Sequence, residues 1–133
     1  MAVFRTKSRA AILVVALVGV FLLGSSGLEA HEFTVDSTIS IRFEDGKFRG
    51  RVKSPRESCV KNREVKVFKA RPVKPDILIG KDHTNENGRY VVPKPSGVTG
   101  KFYARAKRRV TGNPVYDHVH RCRRALSRII EAP

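Results

Sequence analysis

Two short basic runs hold the densest chemistry of this chain: Arg105, Lys107, Arg108 and Arg109, then Arg121, Arg123 and Arg124. Cations at that density attract polyanions, and an aromatic ring beside them adds a face for stacking. Tyr103 and Tyr116 stand next to the two runs. If the strands that carry the runs pair, the product is a polyanion groove. The competing reading is a solvated strand edge, kept from aggregating by its Lys and Arg.

The histidines suggest a different chemistry. Cleavage of a leader after Ala30 makes His31 the new N-terminus, and an N-terminal His chelates copper through its amine and imidazole. Asp117, His118 and His120 then complete a candidate site, since His118 and His120 share one face of an extended strand. His-x-His on a basic strand is also an ordinary solvated pair, and we carry copper only as the alternative. No metal or other cofactor is expected. Ser, His and Asp all occur, but no Gly-x-Ser-x-Gly surrounds any serine. Glu44 and Asp45 read as turn residues, Glu57 and Glu64 as lone acids among bases. No paired carboxylates of the glycosidase kind can be placed. The expectation is a protein that binds rather than catalyses.

Residues 1–30 read as an export signal. Arg5, Lys7 and Arg9 form a basic head, residues 10–24 an uncharged apolar run too short for a comfortable membrane span, and residues 25–30 a small polar tail. Cleavage after Gly27 and after Ala30 are both acceptable; an uncleaved anchor is the competing reading. The whole chain carries 27 Lys and Arg against 12 Asp and Glu, a formal +15. Removing residues 1–30 takes away three bases and one acid, leaving 24 against 11, a formal +13 on 103 residues. That is one small exported domain, expected to be a monomer. Such a surface favours anionic partners and binds nucleic acid only non-specifically; the membrane is met only through the signal segment. In an exported chain, an even number of cysteines most often pairs. Cys59 and Cys122 stand 63 positions apart, so their bridge closes a loop of 64 residues. In the chain-entropy model such a link stabilises by ~4 kcal/mol. A redox-active pair is the weaker reading, since no Cys-x-x-Cys occurs.

The elements that must position these groups are strands. Residues 31–36 look like a loose leader, and 37–133 like the domain. Ile39, Ile41 and Phe43 alternate with Ser40 and Arg42; Phe48, Gly50 and Val52 alternate with Arg49, Arg51 and Lys53. An Asp45-Gly46 turn separates them. Val65 and Val67 share a face, with Phe68 on the other. Residues 77–81 and 89–92 read as a hairpin closed by Thr84, Asn85, Asn87 and Gly88, with Tyr90 leading the return strand. Side-chain oxygens of Thr84 and Asn85 are expected to bond nearby backbone amides, and Asn87-Gly88 to supply positive φ. Phe102, Ala104 and Ala106 alternate with Tyr103 and Arg105, and 115–121 reads as a further strand. Residues 123–130 fit a short helix or a closing strand; the remnant alternation favours the strand. About seven short strands with regular turns make an all-β, seven-stranded antiparallel β-sandwich, immunoglobulin-like or prealbumin-like.

Gly50-Arg51-Val52, Val65-Lys66-Val67-Phe68, Thr84-Asn85-Glu86-Asn87-Gly88-Arg89-Tyr90 and Phe102-Tyr103-Ala104 resemble the motifs of carboxypeptidase regulatory-like, or transthyretin-like, domains. Cys59 and Cys122 fall where short exported bacterial versions add a cysteine pair. The resemblance covers most of residues 37–130 and implies a prealbumin-like sandwich without catalytic residues. In larger proteins such domains accompany peptidases or transporters, or bind carbohydrate. The expected function is therefore a secreted, extracytoplasmic binding module. Its partner would be an anionic or carbohydrate polymer of the cell envelope, captured by the basic surface. The alternative is a structural or interaction module that meets another exported protein.

Overall fold

The computed structural model describes residues 32–113, 115 and 118–133. The expected export signal, His31, Tyr116 and Asp117 lie outside them. The described chain is all-β, with twelve strands in three sheets and one short 3-10 turn at Glu57–Cys59. The four-stranded sheet holds β2 (Thr38–Ile39), β3 (Arg42–Glu44), β4 (Lys47–Lys53) and β7 (Arg89–Pro93). The five-stranded sheet holds β5 (Glu64–Lys69), β6 (Ile77–His83), β8 (Gly100–Ala106), β11 (Ala125–Leu126) and β12 (Ile130–Ala132). A third sheet joins β1 (Glu32–Val35), β10 (Val119–Cys122) and β9 (Arg109–Thr111).

The two larger sheets share one core. Ile39, Phe48, Val52, Tyr90 and Val92 contribute from one side, Val65, Val67, Phe102, Ala104 and Ala106 from the other. The Phe48 and Phe102 rings meet across the sheets with centroids 4.7 Å apart. Alternation in the sequence creates this core, because successive side chains of a strand face opposite ways. Each fully buried Val or Phe contributes about 1.5–3 kcal/mol. Gly50 is needed at the centre of β4: a Cβ there would meet the Ser40 carbonyl oxygen at 1.9 Å and the Tyr90 hydroxyl at 2.6 Å. That hydroxyl donates to Ser40 O at 2.7 Å.

Seven uniformly antiparallel strands is not the arrangement found. Predicted strands are broken where a side chain or carbonyl is needed elsewhere. Between β2 and β3, Ser40 N–H still donates to Arg51 O at 3.0 Å, but the Arg51 amide is taken by the Ser40 hydroxyl at 3.0 Å while the Ser40 carbonyl accepts the Tyr90 hydroxyl. After β8 the chain leaves the five-stranded sheet and re-pairs, as β9, with β10. Residues 123–130 supply two short strands, β11 and β12, both antiparallel to β8. Glu32–Val35, expected to be loose, pairs parallel to β10, held by a two-pronged Arg121–Glu32 ion pair at 2.9 Å and by the burial of Val35.

The expected hairpin is also corrected. β6 pairs with β5 and β7 with β4, so the 84–88 turn carries the chain from one sheet to the other. Thr84 does not cap its own turn. Its hydroxyl accepts the Arg63 amide at 2.8 Å and donates to the Val60 carbonyl, while Asn62 N–H donates to Thr84 O at 2.8 Å. Asn85 behaves as expected, its Oδ1 accepting the amides of Asn87 and Arg89, both at 3.0 Å. Gly88 alone supplies positive φ, +77°, and its carbonyl accepts Val52 N–H at 2.8 Å.

A disulfide joins Cys59 to Cys122, both fully buried, with Cα atoms 5.5 Å apart. It ties the 3-10 turn to β10. Bonds of this kind persist in oxidising compartments.

Candidate anion-binding face

With Val65 and Val67 inward, β5 turns Lys66 and Phe68 outward; with Phe102, Ala104 and Ala106 inward, β8 turns Tyr103 and Arg105 the same way. Register places Arg105 opposite Lys66, and Lys66 opposite Lys81 of β6, a row of cations across three strands. One step along, Phe68 faces Tyr103. Their rings stack, centroids 5.5 Å apart and planes 19° from parallel. The Arg105 guanidinium lies 4.5 Å from the Phe68 ring centroid, in cation–π range. Tyr103 is fixed from the far side: its hydroxyl donates to Asp76 Oδ2 at 2.7 Å, and Asp76 Oδ1 accepts the Arg71 amide at 3.0 Å. The Tyr103 bond, and then the Arg71 amide, hold the Asp76 carboxyl below the usual carboxylate range. The same bond, then burial, then the Asp76 charge push the Tyr103 phenol up, against Arg105 and Arg124. Cations flanking a pinned aromatic pair can take a charged group and a ring face of one ligand together.

The two basic runs read from the sequence are divided. Tyr103 and Arg105 join the face just described. Arg108, Arg121, Arg123 and Arg124 line a separate concavity of about 330 Å³ over Cys122. The β9–β10 pairing sets Arg121 opposite Val110 and Cys122 opposite Arg109. Yet several are already engaged. Arg121 is neutralised by Glu32, and Arg123 meets Asp36 at 3.1 Å. Arg109 donates to the carbonyls of Lys61 at 2.8 Å and Asn62 at 3.0 Å. The Lys107 ammonium acts on Glu64: burial raises that carboxyl, but Lys107, Lys66 and Lys81 outweigh it and hold it low. Arg108 and Arg124 make no hydrogen bond or ion pair among the described residues.

Of the histidine alternative, His31 and Asp117 lie outside the described residues, and His118 and His120 stand beside a ring. Phe33 packs edge-on to His118 at 5.5 Å and beside His120 at 6.1 Å. Among the described residues, no three His, Cys, Asp or Glu side chains converge.

Sequence reasoning missed Lys66, Phe68, Lys81 and Asp76. A signal was present in Phe68, an aromatic residue on the strand face opposite Val65 and Val67, but its partners depend on register. It also missed Arg63, which is fully buried. The Arg63 guanidinium donates to Lys107 O at 2.9 Å, Cys59 O at 2.9 Å, Ser37 Oγ at 2.6 Å and Arg123 O. Burial, then the nearby Arg109 charge, lower its pKa from the usual guanidinium value. Nothing local in the sequence distinguishes it from the exposed arginines.

No family model matches this chain, and no curated protein does. Among solved structures, a crystal structure of a 9R-lipoxygenase from Cyanothece PCC8801 aligns over 74% of this chain, at 18% identity and a TM-score of 0.35. The aligned part spans 14% of the lipoxygenase chain.

Proposed function

We propose that this protein is an exported, monomeric, non-enzymatic binding module that captures anionic polysaccharide or another acidic polymer of the cell envelope. The outward face of the five-stranded sheet does the binding. The observation that carries the reading is the stacked Phe68–Tyr103 pair bordered by Arg105, Lys66 and Lys81. Sugar rings present apolar faces to such aromatics while their acidic groups meet the cations. The disulfide supports export, and the formal +13 that remains without residues 1–30 supports an anionic partner. A shared core between two sheets is what the resemblance to regulatory-like, prealbumin-like sandwich domains leads one to expect, and that family reading belongs to this proposal.

Retention on heparin and on purified cell wall across a salt series tests it. Retention should fall steeply with salt, and Lys66→Gln/Lys81→Gln/Arg105→Gln should flatten the dependence by roughly two to three unit slopes, near one for each cation removed. Retention insensitive to salt, or unchanged in the triple variant, would instead favour a protein-interaction module.

A further inference from the structure

The opposite side of the molecule carries a second concentration of charge that the proposed function does not use. On the outward face of the four-stranded sheet, Arg42 of β3 stands directly opposite Arg49 of β4, and Arg51 of β4 directly opposite Arg89 of β7. Like charges directly opposite in a sheet oppose its formation. All four arginines line one concavity of about 280 Å³, floored by Gly50, Tyr90 and Val91. It lies beside the break between β2 and β3.

The counter-charge at this site is meagre. Arg42 meets Glu44 at 3.0 Å, with both side chains more than half exposed. The Arg51 Nε donates to the Asn87 carbonyl at 2.8 Å, which fixes the group without neutralising it. The guanidinium groups of Arg49 and Arg89 have no hydrogen-bond or ion-pair partner among the described residues. The row of cations on the other sheet mixes lysine with arginine; this one is all arginine. Guanidinium forks suit the oxygen pairs of a tetrahedral oxyanion, which a compact ammonium meets only as a point charge.

We propose that Arg42, Arg49, Arg51 and Arg89 form a site for a tetrahedral oxyanion, phosphate or sulfate, either free or borne by a monoester. The ligand's negative charge relieves the repulsion within both arginine pairs, and Arg49 and Arg89 give it direct donors. This site is separate from the Phe68–Tyr103 face and stands whether or not that face binds polymer.

The test is titration of the protein with inorganic sulfate, inorganic phosphate, glucose 6-sulfate and glucose 6-phosphate, followed through arginine Nε–Hε NMR signals, with chloride at matched ionic strength as control. Signals of Arg49 and Arg89 should move saturably with the tetrahedral anions and not with chloride. Arg49→Gln and Arg89→Gln should each weaken binding about tenfold, the scale of one charge-assisted hydrogen bond. Both positions carry solvent-accessible side chains, so each variant's melting curve, matched to the parent, serves as the folding control. Glu44→Gln should tighten binding by releasing Arg42. Phosphate binding should strengthen from pH 6 to 8 as the ligand loses its second proton, while sulfate binding stays flat because sulfate keeps the same charge over that range. Tighter binding of the esters assigns the site to a sugar-borne group; equal binding assigns it to the free ion. Shifts spread evenly over all the arginines, or unchanged affinity in both Gln variants, would overturn the proposal.

Discussion

Replacing Arg63 by methionine keeps the buried stem and removes the guanidinium that four segments share. Three carbonyls, those of Cys59, Lys107 and Arg123, and the Ser37 hydroxyl lose their donor. A buried polar group left unsatisfied costs about 1–3 kcal/mol. Two effects reduce the sum: the variant no longer desolvates a cation, and Ser37 and Arg123 border solvent that can enter. The net is set by analogy with removing one member of a buried charged network, about 3–5 kcal/mol. Domains of this size have about 5–15 kcal/mol in total. At about 4–8 °C per kcal/mol, the melting temperature should fall by roughly 12–40 °C. Urea unfolding of the disulfide-intact protein measures it, with an unchanged slope showing that the same surface is exposed. Arg63→Lys should recover less than half, because an ammonium cannot span partners on four segments. Arg63 stays protonated throughout the workable pH range, so the loss should be the same at pH 5 and pH 8. A loss under about 1 kcal/mol for Arg63→Met would refute the assignment of Arg63 as the group that holds these segments together.

Cys59→Ser/Cys122→Ser should cost about 4 kcal/mol by the chain-entropy argument, measured by the same urea series; no loss would mean that the unfolded chain is already constrained. Gly88→Ala should destabilise by at least about 1–3 kcal/mol. Its φ is +77° and a Cβ would meet Val52 O at 2.3 Å, against the chain's passage between sheets. Asp76→Asn should let the Tyr103 phenol titrate closer to the ordinary tyrosine range in an ultraviolet difference titration. The sign follows from the direction of each shift. Asp76 is held low, so its share of stability is present above the ordinary aspartate range and fades as pH falls through its folded pKa. Tyr103 is held high, so its share is present below the ordinary tyrosine range and fades as pH rises through its own. Phe68→Ala and Tyr103→Ala should each weaken polysaccharide retention even at salt concentrations that screen the lysines, because stacking does not depend on ionic strength.

Much of the core was legible because a strand buries every second residue. Ile39, Phe48, Val52, Val65, Val67, Phe102, Ala104 and Ala106 could be assigned from period alone. The disulfide was legible because only one pairing exists. Sheet membership was not. An apolar strand, a Thr-Asn-Glu-Asn-Gly turn and a second strand read alike whether the arms pair with each other or separate. What separates them is non-local: Thr84 is held by Val60, Asn62 and Arg63, and Gly88 by Val52. Arg63 was illegible for the same reason, since its burial is created by carbonyls 4, 44 and 60 positions away.

In a highly basic chain, net charge treats every arginine alike, but the fold assigns them unequal work. Arg63 is interior structure; Arg109, Arg121 and Arg123 fasten one segment to another. These four raise the formal charge while lending little to a ligand. Two outward sheet faces gather others: Lys66, Lys81 and Arg105 beside aromatic rings on one, and Arg42, Arg49, Arg51 and Arg89 on the other. Neighbouring strands place these cations opposite one another, an arrangement that works against the sheet itself. Had solubility been the only demand, the same number of charges could have been dispersed or alternated with acids at no such cost. An anion bound on either face would offset that repulsion, which is the energetic basis of both proposals.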